Sequence, residues 1–224
     1  MTLTQNNTTT PTVYVVDDDA PLRDSLVGLI TAMGFSSQGF ASGDAFHHFY
    51  QRHFPGCLVL DVRMPGQSGL ELYDQLIQEG KRLPVIFITA HADVTTAVAA
   101  MKTGAVEFLE KPFDHGTLHQ RIQKALTLDG NWRRHESEFN AIDQRISRMN
   151  ERDQETLQLI LAGASNKVMA SRLFISERAV EMRRAAIMRK LEVRSLAELL
   201  ELTITHRLVA EIATMISVSR LHWP

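Results

Sequence analysis

The chain has 224 residues, 22% of them charged, a formal net charge of -2 and a single cysteine. One cysteine excludes an intrachain disulfide and a multi-cysteine zinc site, and no apolar run approaches the roughly 18–20 residues of a membrane span. The charge is unevenly spread: residues 1–126 carry 9 Lys+Arg against 13 Asp+Glu, a net of -4, whereas residues 165–194 carry 8 against 3, a net of +5. That asymmetry points to different ligands for the two halves, and the length accommodates two domains.

The opening, Met1 to Thr10, is polar and rich in Thr and Asn. It suits a disordered lead over residues 1–11 rather than a signal sequence, and the expectation is a soluble, cytoplasmic chain with no membrane partner. Apolar strand-like runs follow at 13–16, 57–60, 85–88 and 106–109, with a weaker one near 36–40. Helical spacing separates them, as in Leu22, Leu26, Leu29, Ile30 and then Leu70, Leu72, Leu76, Ile77. Continuously apolar strands suit a parallel sheet covered on both faces, and five strands and five helices fit by about residue 126. Gly34, Gly80 and Gly104 fall where helices should stop. Cys57, inside a strand, reads as a small buried side chain.

Chemistry collects at the ends of these strands. Asp17-Asp18-Asp19 closes the first, Asp61 the third and Thr89 the fourth, and Lys111-Pro112 follows the fifth. In an open parallel sheet the carboxyl ends share one edge, where ligands bind. Several carboxylates, a hydroxyl and a lysine there suggest a divalent cation, Mg2+ or Mn2+, and a phosphoryl group. Asp18 and Asp61 can supply carboxylates to a hard ion while Asp17 holds a water. Asp61 is then a nucleophile able to form an aspartyl-phosphate, with Thr89 and Lys111 on the phosphoryl oxygens. Taken alone, an acidic run such as Asp17-Asp18-Asp19 is more often a solvated turn, and Asp19 before Ala20-Pro21 makes a fair helix N-cap. Joined to Asp61, Thr89 and Lys111 it reads as a site. His91 reads as a rim residue, since no partner of a catalytic triad is evident.

The motifs Val16-Asp17-Asp18, Leu60-Asp61-Val62-Arg63-Met64-Pro65-Gly66, Thr89-Ala90 and Lys111-Pro112-Phe113 stand in order and at suitable spacing. Residues 12–126 thereby resemble the receiver domain of two-component response regulators, a flavodoxin-like, doubly wound five-stranded parallel α/β fold. The resemblance implies that Asp61 accepts phosphate from a phosphohistidine on a sensor histidine kinase. It implies that Asp18 and Asp61, with the Arg63 backbone carbonyl, hold the metal, and that the Lys111–Pro112 peptide is cis. It also makes Thr89 and Phe108 a switch pair, coupling charge at Asp61 to the surface of the receiver's fourth helix, fifth strand and fifth helix. Without the pairing to Thr89, Phe108 would be plain core.

Residues 127–147 read as a partly helical linker, interrupted by Asp129-Gly130-Asn131, with Trp132 able to pack on either side. Asn150 with Asp153 opens a short helix stopped by Gly163; Ser165 caps a second; Ser176 caps a third running to about Leu191; Ser195-Leu196-Ala197-Glu198 opens a fourth. Four short helices with a tight turn at Phe174-Ile175 suit an all-α helix-turn-helix domain over residues 148–205. On the third helix Val180, Ile187 and Leu191 share a core face, opposite Arg178, Met182, Ala185 and Arg189, with Glu181 at one edge. Arg183 and Arg184 flank the seam. An outward face of this kind fits a major groove; a solvated amphipathic helix is the plainer alternative.

The run from Gly163 to Ala170, then Leu173-Phe174-Ile175-Ser176 and Ala179-Val180-Glu181, resembles the LuxR-type output domain of the FixJ/NarL regulators. It implies base recognition by Arg178, Glu181, Met182 and Ala185, backbone contacts by Lys167, Ser176, Arg183 and Arg184, and a dimer surface on the fourth helix. Two positions depart from the family: Ala179 replaces a frequent threonine and Arg183 a frequent histidine, so a hydroxyl is lost and a positive charge gained. Beyond this domain, residues 206–224 form an extension. Leu208, Val209, Ile212, Met215 and Ile216 recur there at helical spacing, as a prolonged dimer surface or a tail folded back on its own domain, with Trp223 an anchor for either.

The combined reading is a phosphorylation-controlled transcription factor rather than an enzyme. Its partners would be a sensor histidine kinase, double-stranded DNA, a second copy when phosphorylated, and RNA polymerase. Two alternatives come from other classes: a receiver gating a protein-binding output, and a small-molecule magnesium phosphatase acting through Asp61. The chain lacks the second aspartate two residues after the nucleophile that haloacid-dehalogenase-type phosphatases use.

Overall fold

The computed structural model describes residues 10–90 and 107–220, the side chains of 213–220 excepted. The chain divides into two compact units, Met1–Arg133 and Arg134–Pro224. In the first, strands β1 (Thr12–Val16), β2 (Ser36–Phe40), β3 (Gly56–Asp61), β4 (Val85–Thr89) and β5 (Glu107–Glu110) alternate with helices α1 (Ala20–Ala32), α2 (Gly43–Phe49) and α3 (Gly69–Gln78). The strands form one parallel sheet in the order β2-β1-β3-β4-β5, the flavodoxin-like order. The Gly104 stop, the His91 rim position and the receiver's expected fourth helix lie outside the described residues.

Period-two alternation sorts the strand residues into two cores. Tyr14, Val16, Leu58, Leu60 and Phe87 pack with Phe46, Leu72 and Tyr73 on one face, while Val13, Val15, Cys57, Val59, Ile86 and Ile88 pack with Leu26, Ile30, Leu118 and Ile122 on the other. Cys57 is fully buried, and burial pushes its thiol pKa far up. It is the small core residue its strand position suggests.

Helix α4 (His115–Ser147) corrects one expectation. Asp129-Gly130-Asn131 does not interrupt the chain but lies within a single helix of 33 residues, about 50 Å long at 1.5 Å per residue. A glycine inside a helix costs only about 1 kcal/mol, and here Asp129 faces inward and is buried. Trp132, left open by the sequence, lies beneath the Arg82 guanidinium at 5.1 Å.

In the second unit come α5 (Glu151–Leu161), α6 (Asn166–Leu173), α7 (Glu177–Lys190) and α8 (Leu196–Arg220). Asn150, Ser165 and Ser176 cap α5, α6 and α7 by accepting from the backbone N–H groups of Asp153, Val168 and Ala179. Val180, Ile187 and Leu191 are buried with Met169, Ile160 and Leu199, as the helical wheel places them. Lys190 donates to the carboxylate of buried Asp153, tying the end of α7 to α5. At the turn between α6 and α7, Phe174 adopts a left-handed conformation, φ 54°, and is 94% exposed. The extension prolongs α8 as one helix to Arg220, leaving Leu208, Val209 and Ile212 exposed. No helix among the described residues is long and apolar enough to cross a membrane.

Candidate phosphoacceptor site and nucleic-acid interface

The strand order reverses at β1 and β3, and the residues just past their carboxyl ends meet there. Val16 pairs with Leu60, so Asp17 and Asp61 emerge side by side; Ile88 pairs with Asp61, so Thr89 follows one step beyond. Lys111 reaches in from the segment after β5, its Nζ donating to Asp61 Oδ1 at 2.7 Å and to Asp17 Oδ2 at 3.1 Å. Asp17, Asp61 and Thr89 are all buried. The Lys111–Pro112 peptide is cis, as the resemblance implies. The Lys111 backbone N–H donates to the Thr89 carbonyl at 2.8 Å, which joins β4 to the lysine segment directly.

The remaining atoms of the two carboxylates are also held. Asp61 Oδ2 accepts from the Arg63 N–H at 2.8 Å, and Asp17 Oδ1 from the Asp19 N–H at 2.9 Å. Arg23 Nη1 donates to the Asp17 carbonyl at 2.9 Å, a contact with no signature in the sequence. Gly69 was another residue the sequence did not single out. A Cβ at that position would fall 2.1 Å from the Asp61 carbonyl oxygen, so only glycine lets α3 begin against the turn that follows Asp61. Ser68 and Glu71 close that helix start with a capping box.

Burial raises the Asp61 pKa and prevails over the opposing hydrogen bond and charge of Lys111. Burial also works against the Lys111 charge, but its hydrogen bonds to Asp61 and Asp17 outweigh it and raise the lysine pKa. The site therefore balances two buried carboxylates on one ammonium group.

Asp18 is exposed and is not bonded to Lys111. Among the described residues no group of three or more Cys, His, Asp or Glu side chains is gathered at metal-binding spacing. Lys111 Nζ, bonded to both carboxylates, offsets part of the charge of the buried pair Asp17 and Asp61. A hard divalent ion needs no such group: one or two carboxylates, a backbone carbonyl and waters suffice. The residues present fit that donor set, with all-oxygen ligands on a charge-crowded edge. Phe108, in register with Phe87 and partly buried, packs against the first core cluster next to the strand that carries Thr89.

On α7, Arg178, Glu181, Met182 and Ala185 are exposed, as are Lys167 on α6 and Ser176 at the cap. Met182 is 68% exposed, an apolar side chain turned away from a core that buries Val180 two residues earlier. Arg183 and Arg184 are partly buried, and Arg184 Nη1 donates to Asn166 Oδ1 at 3.3 Å. That bond lays the guanidinium against the start of α6, whose N-terminal backbone N–H groups suit a phosphate.

Residues 13–123 match the response regulator receiver domain family, and residues 147–203 match the luxR family of bacterial regulatory proteins. The chain is 38% identical over 191 residues to the response regulator protein TodT of Pseudomonas putida, covering 85% of this chain and 84% of that one. It is 38% identical over 195 residues to the transcriptional regulatory protein FixJ of Bradyrhizobium diazoefficiens, covering 87% and 95%. The chain is a two-component response regulator. The solved structure of the response regulator StyR superposes on the regulator with a TM-score of 0.81 at 42% identity, covering 88% of this chain and 99% of that one. The regulator thus joins a receiver to a LuxR-type DNA-binding domain, and the acidic edge and the α7 face belong to those two parts.

Proposed function

We propose that Asp61 accepts a phosphoryl group from a sensor histidine kinase and that this controls dimerisation and DNA binding by the C-terminal half. The observation that carries the reading is the Lys111 ammonium lying 2.7 Å from a buried Asp61 carboxylate beside Asp17. An Asp61 oxygen attacks the phosphorus of the phosphohistidine, the new O–P bond forms as the P–N bond breaks, and the imidazole keeps the electron pair. Lys111 and the Thr89 hydroxyl bind the phosphoryl oxygens, and positioning with charge neutralisation supplies the catalysis. Asp18, Asp61 and the Arg63 carbonyl, with Asp17 through a water, would hold Mg2+ or Mn2+. When bound, the ion neutralises charge between carboxylates and phosphoryl oxygens.

Thr89 turns toward the phosphoryl group and Phe108 takes the space it leaves, altering the β5 face on which a second receiver docks. Two output domains then meet a two-fold DNA site. Arg178, Glu181, Met182 and Ala185 face base edges, while Lys167, Ser176, Arg183 and Arg184 face phosphates.

The test is the molecular mass in solution with magnesium, before and after beryllofluoride, for wild type and Asp61→Asn. Wild type should shift from monomer to dimer and Asp61→Asn should not. A variant that responds as wild type does would remove Asp61 from the switch.

A further inference from the structure

The strand that ends at Asp61 begins at Gly56, and Gly56 is held by the helix that leaves the receiver. Its backbone N–H donates to Asp129 Oδ2 at 2.9 Å, and the same oxygen accepts from Arg133 Nε at 2.7 Å. Arg133 continues to the loop before β3, donating to the carbonyls of Arg52 at 3.2 Å and Phe54 at 2.5 Å. Trp132, between them in sequence, carries the Arg82 guanidinium over its ring, a cation–π contact to the segment before β4. The position of Gly56 is fully determined: φ is 153°, and a Cβ would fall 1.9 Å from the Thr12 carbonyl oxygen.

A buried carboxylate is rare unless paired. Asp129 is 3% exposed, and its Oδ2 is held by one backbone and one guanidinium donor. Phosphoryl transfer at the opposite edge of the sheet needs none of these groups. The first compact unit also ends at Arg133, the last member of the cluster. The outgoing helix is therefore fixed for nearly three turns beyond the point where the receiver family match stops, at residue 123.

We propose that Asp129, Trp132 and Arg133 form a latch holding α4 on the amino-terminal edge of the sheet, and that a change at Asp61 reaches the DNA-binding half only while the latch is closed. The proposal rests on the phosphorylation reading above. Its physical basis is that β3 is the element common to both sites, with Asp61 at one end and the Asp129 acceptor at the other. Leu118, Ile122 and Ala125 hold the start of the helix on the core; the latch extends that hold to Arg133, and without it the stretch beyond Ala125 samples many directions and the signal is averaged away. Coupling of this kind requires one element that both sites bias.

The experiment uses the full chain as wild type, Asp129→Ala, Asp129→Asn and Arg133→Ala. Three quantities are measured: amide hydrogen exchange at Gly56 and residues 126–134, loading of Asp61 by acetyl phosphate, and the gain in affinity on adding beryllofluoride. The affinity probe is a duplex selected from random sequence by wild type. Asp129→Ala and Arg133→Ala should speed exchange by about tenfold in those segments alone. They should load phosphate as wild type does and cut the beryllofluoride gain by about fivefold or more. Asp129→Asn, which keeps the acceptor for Gly56, should fall between. Faster exchange with an undiminished gain would overturn the latch as a transmission element while leaving the regulator reading intact. No gain in wild type itself would overturn both.

Discussion

Asp61 is held under two opposed demands. Burial favours its neutral form, and the Lys111 ammonium at 2.7 Å favours the charged one. Burial prevails, so its pKa in the folded chain stands above the ordinary aspartate value. The folded state then binds more protons than the unfolded state between the two values, and stability falls as pH rises through that window. Urea midpoints measured with a chelator across the acid range should show the stability of wild type declining relative to that of Asp61→Asn through this window. Identical profiles would mean that Lys111 fully offsets the burial of Asp61. On the proposed phosphorylation, the Lys111 ammonium, bonded to both carboxylates, is placed to follow the charge when a phosphoryl group arrives.

Helix α7 divides its residues between a buried face and an exposed one along about three turns. Val180, Ile187 and Leu191 hold it to α5 and α8, which leaves Arg178, Met182 and Ala185 no internal partner face. Arg184 sits at the boundary, bonded to Asn166 and so oriented before any DNA arrives. Arg184→Ala should weaken DNA binding across sequences and lower the slope of log affinity against log salt by about 0.9, one phosphate contact. An unchanged slope would place this guanidinium away from the phosphates. Helix α4 shows the opposite economy: its middle carries Asp129, Trp132 and Arg133 for the receiver, while its last turns place Arg145 on Glu192 at 2.9 Å and Phe139 against His206 at 4.8 Å.

At the scale of the whole molecule, the buried residues among those described fall into separate sets. The two faces of the receiver sheet have one cluster each, and the helix-turn-helix half has its own, with no member in common. Ile187→Ala, at a fully buried position in the last cluster, should cost about 2–5 kcal/mol. Calorimetry should place that loss in the transition of the C-terminal half, with acetyl phosphate still loading Asp61 at the wild-type rate. A drop in phosphate loading would show that the receiver depends on the second core.

The sequence by itself determined the order of strands and helices, the acidic strand ends with Lys111, and the outward face of α7. Each is a local pattern: apolar runs bounded by turns, caps three residues from their partners, charge on one side of a wheel. Only the tertiary structure decided which side chains meet. Asp129-Gly130-Asn131 carries a strong local turn signal, yet a buried acceptor for the Gly56 N–H, 73 residues away in sequence, keeps it helical. Gly69 looks like any helix-start glycine until the Asp61 carbonyl is found where its side chain would be. Asp18, next to Asp17 in the sequence, is turned to solvent while Asp17 is buried beside Asp61, because successive residues leaving a strand take different directions and the neighbouring strand accepts only one.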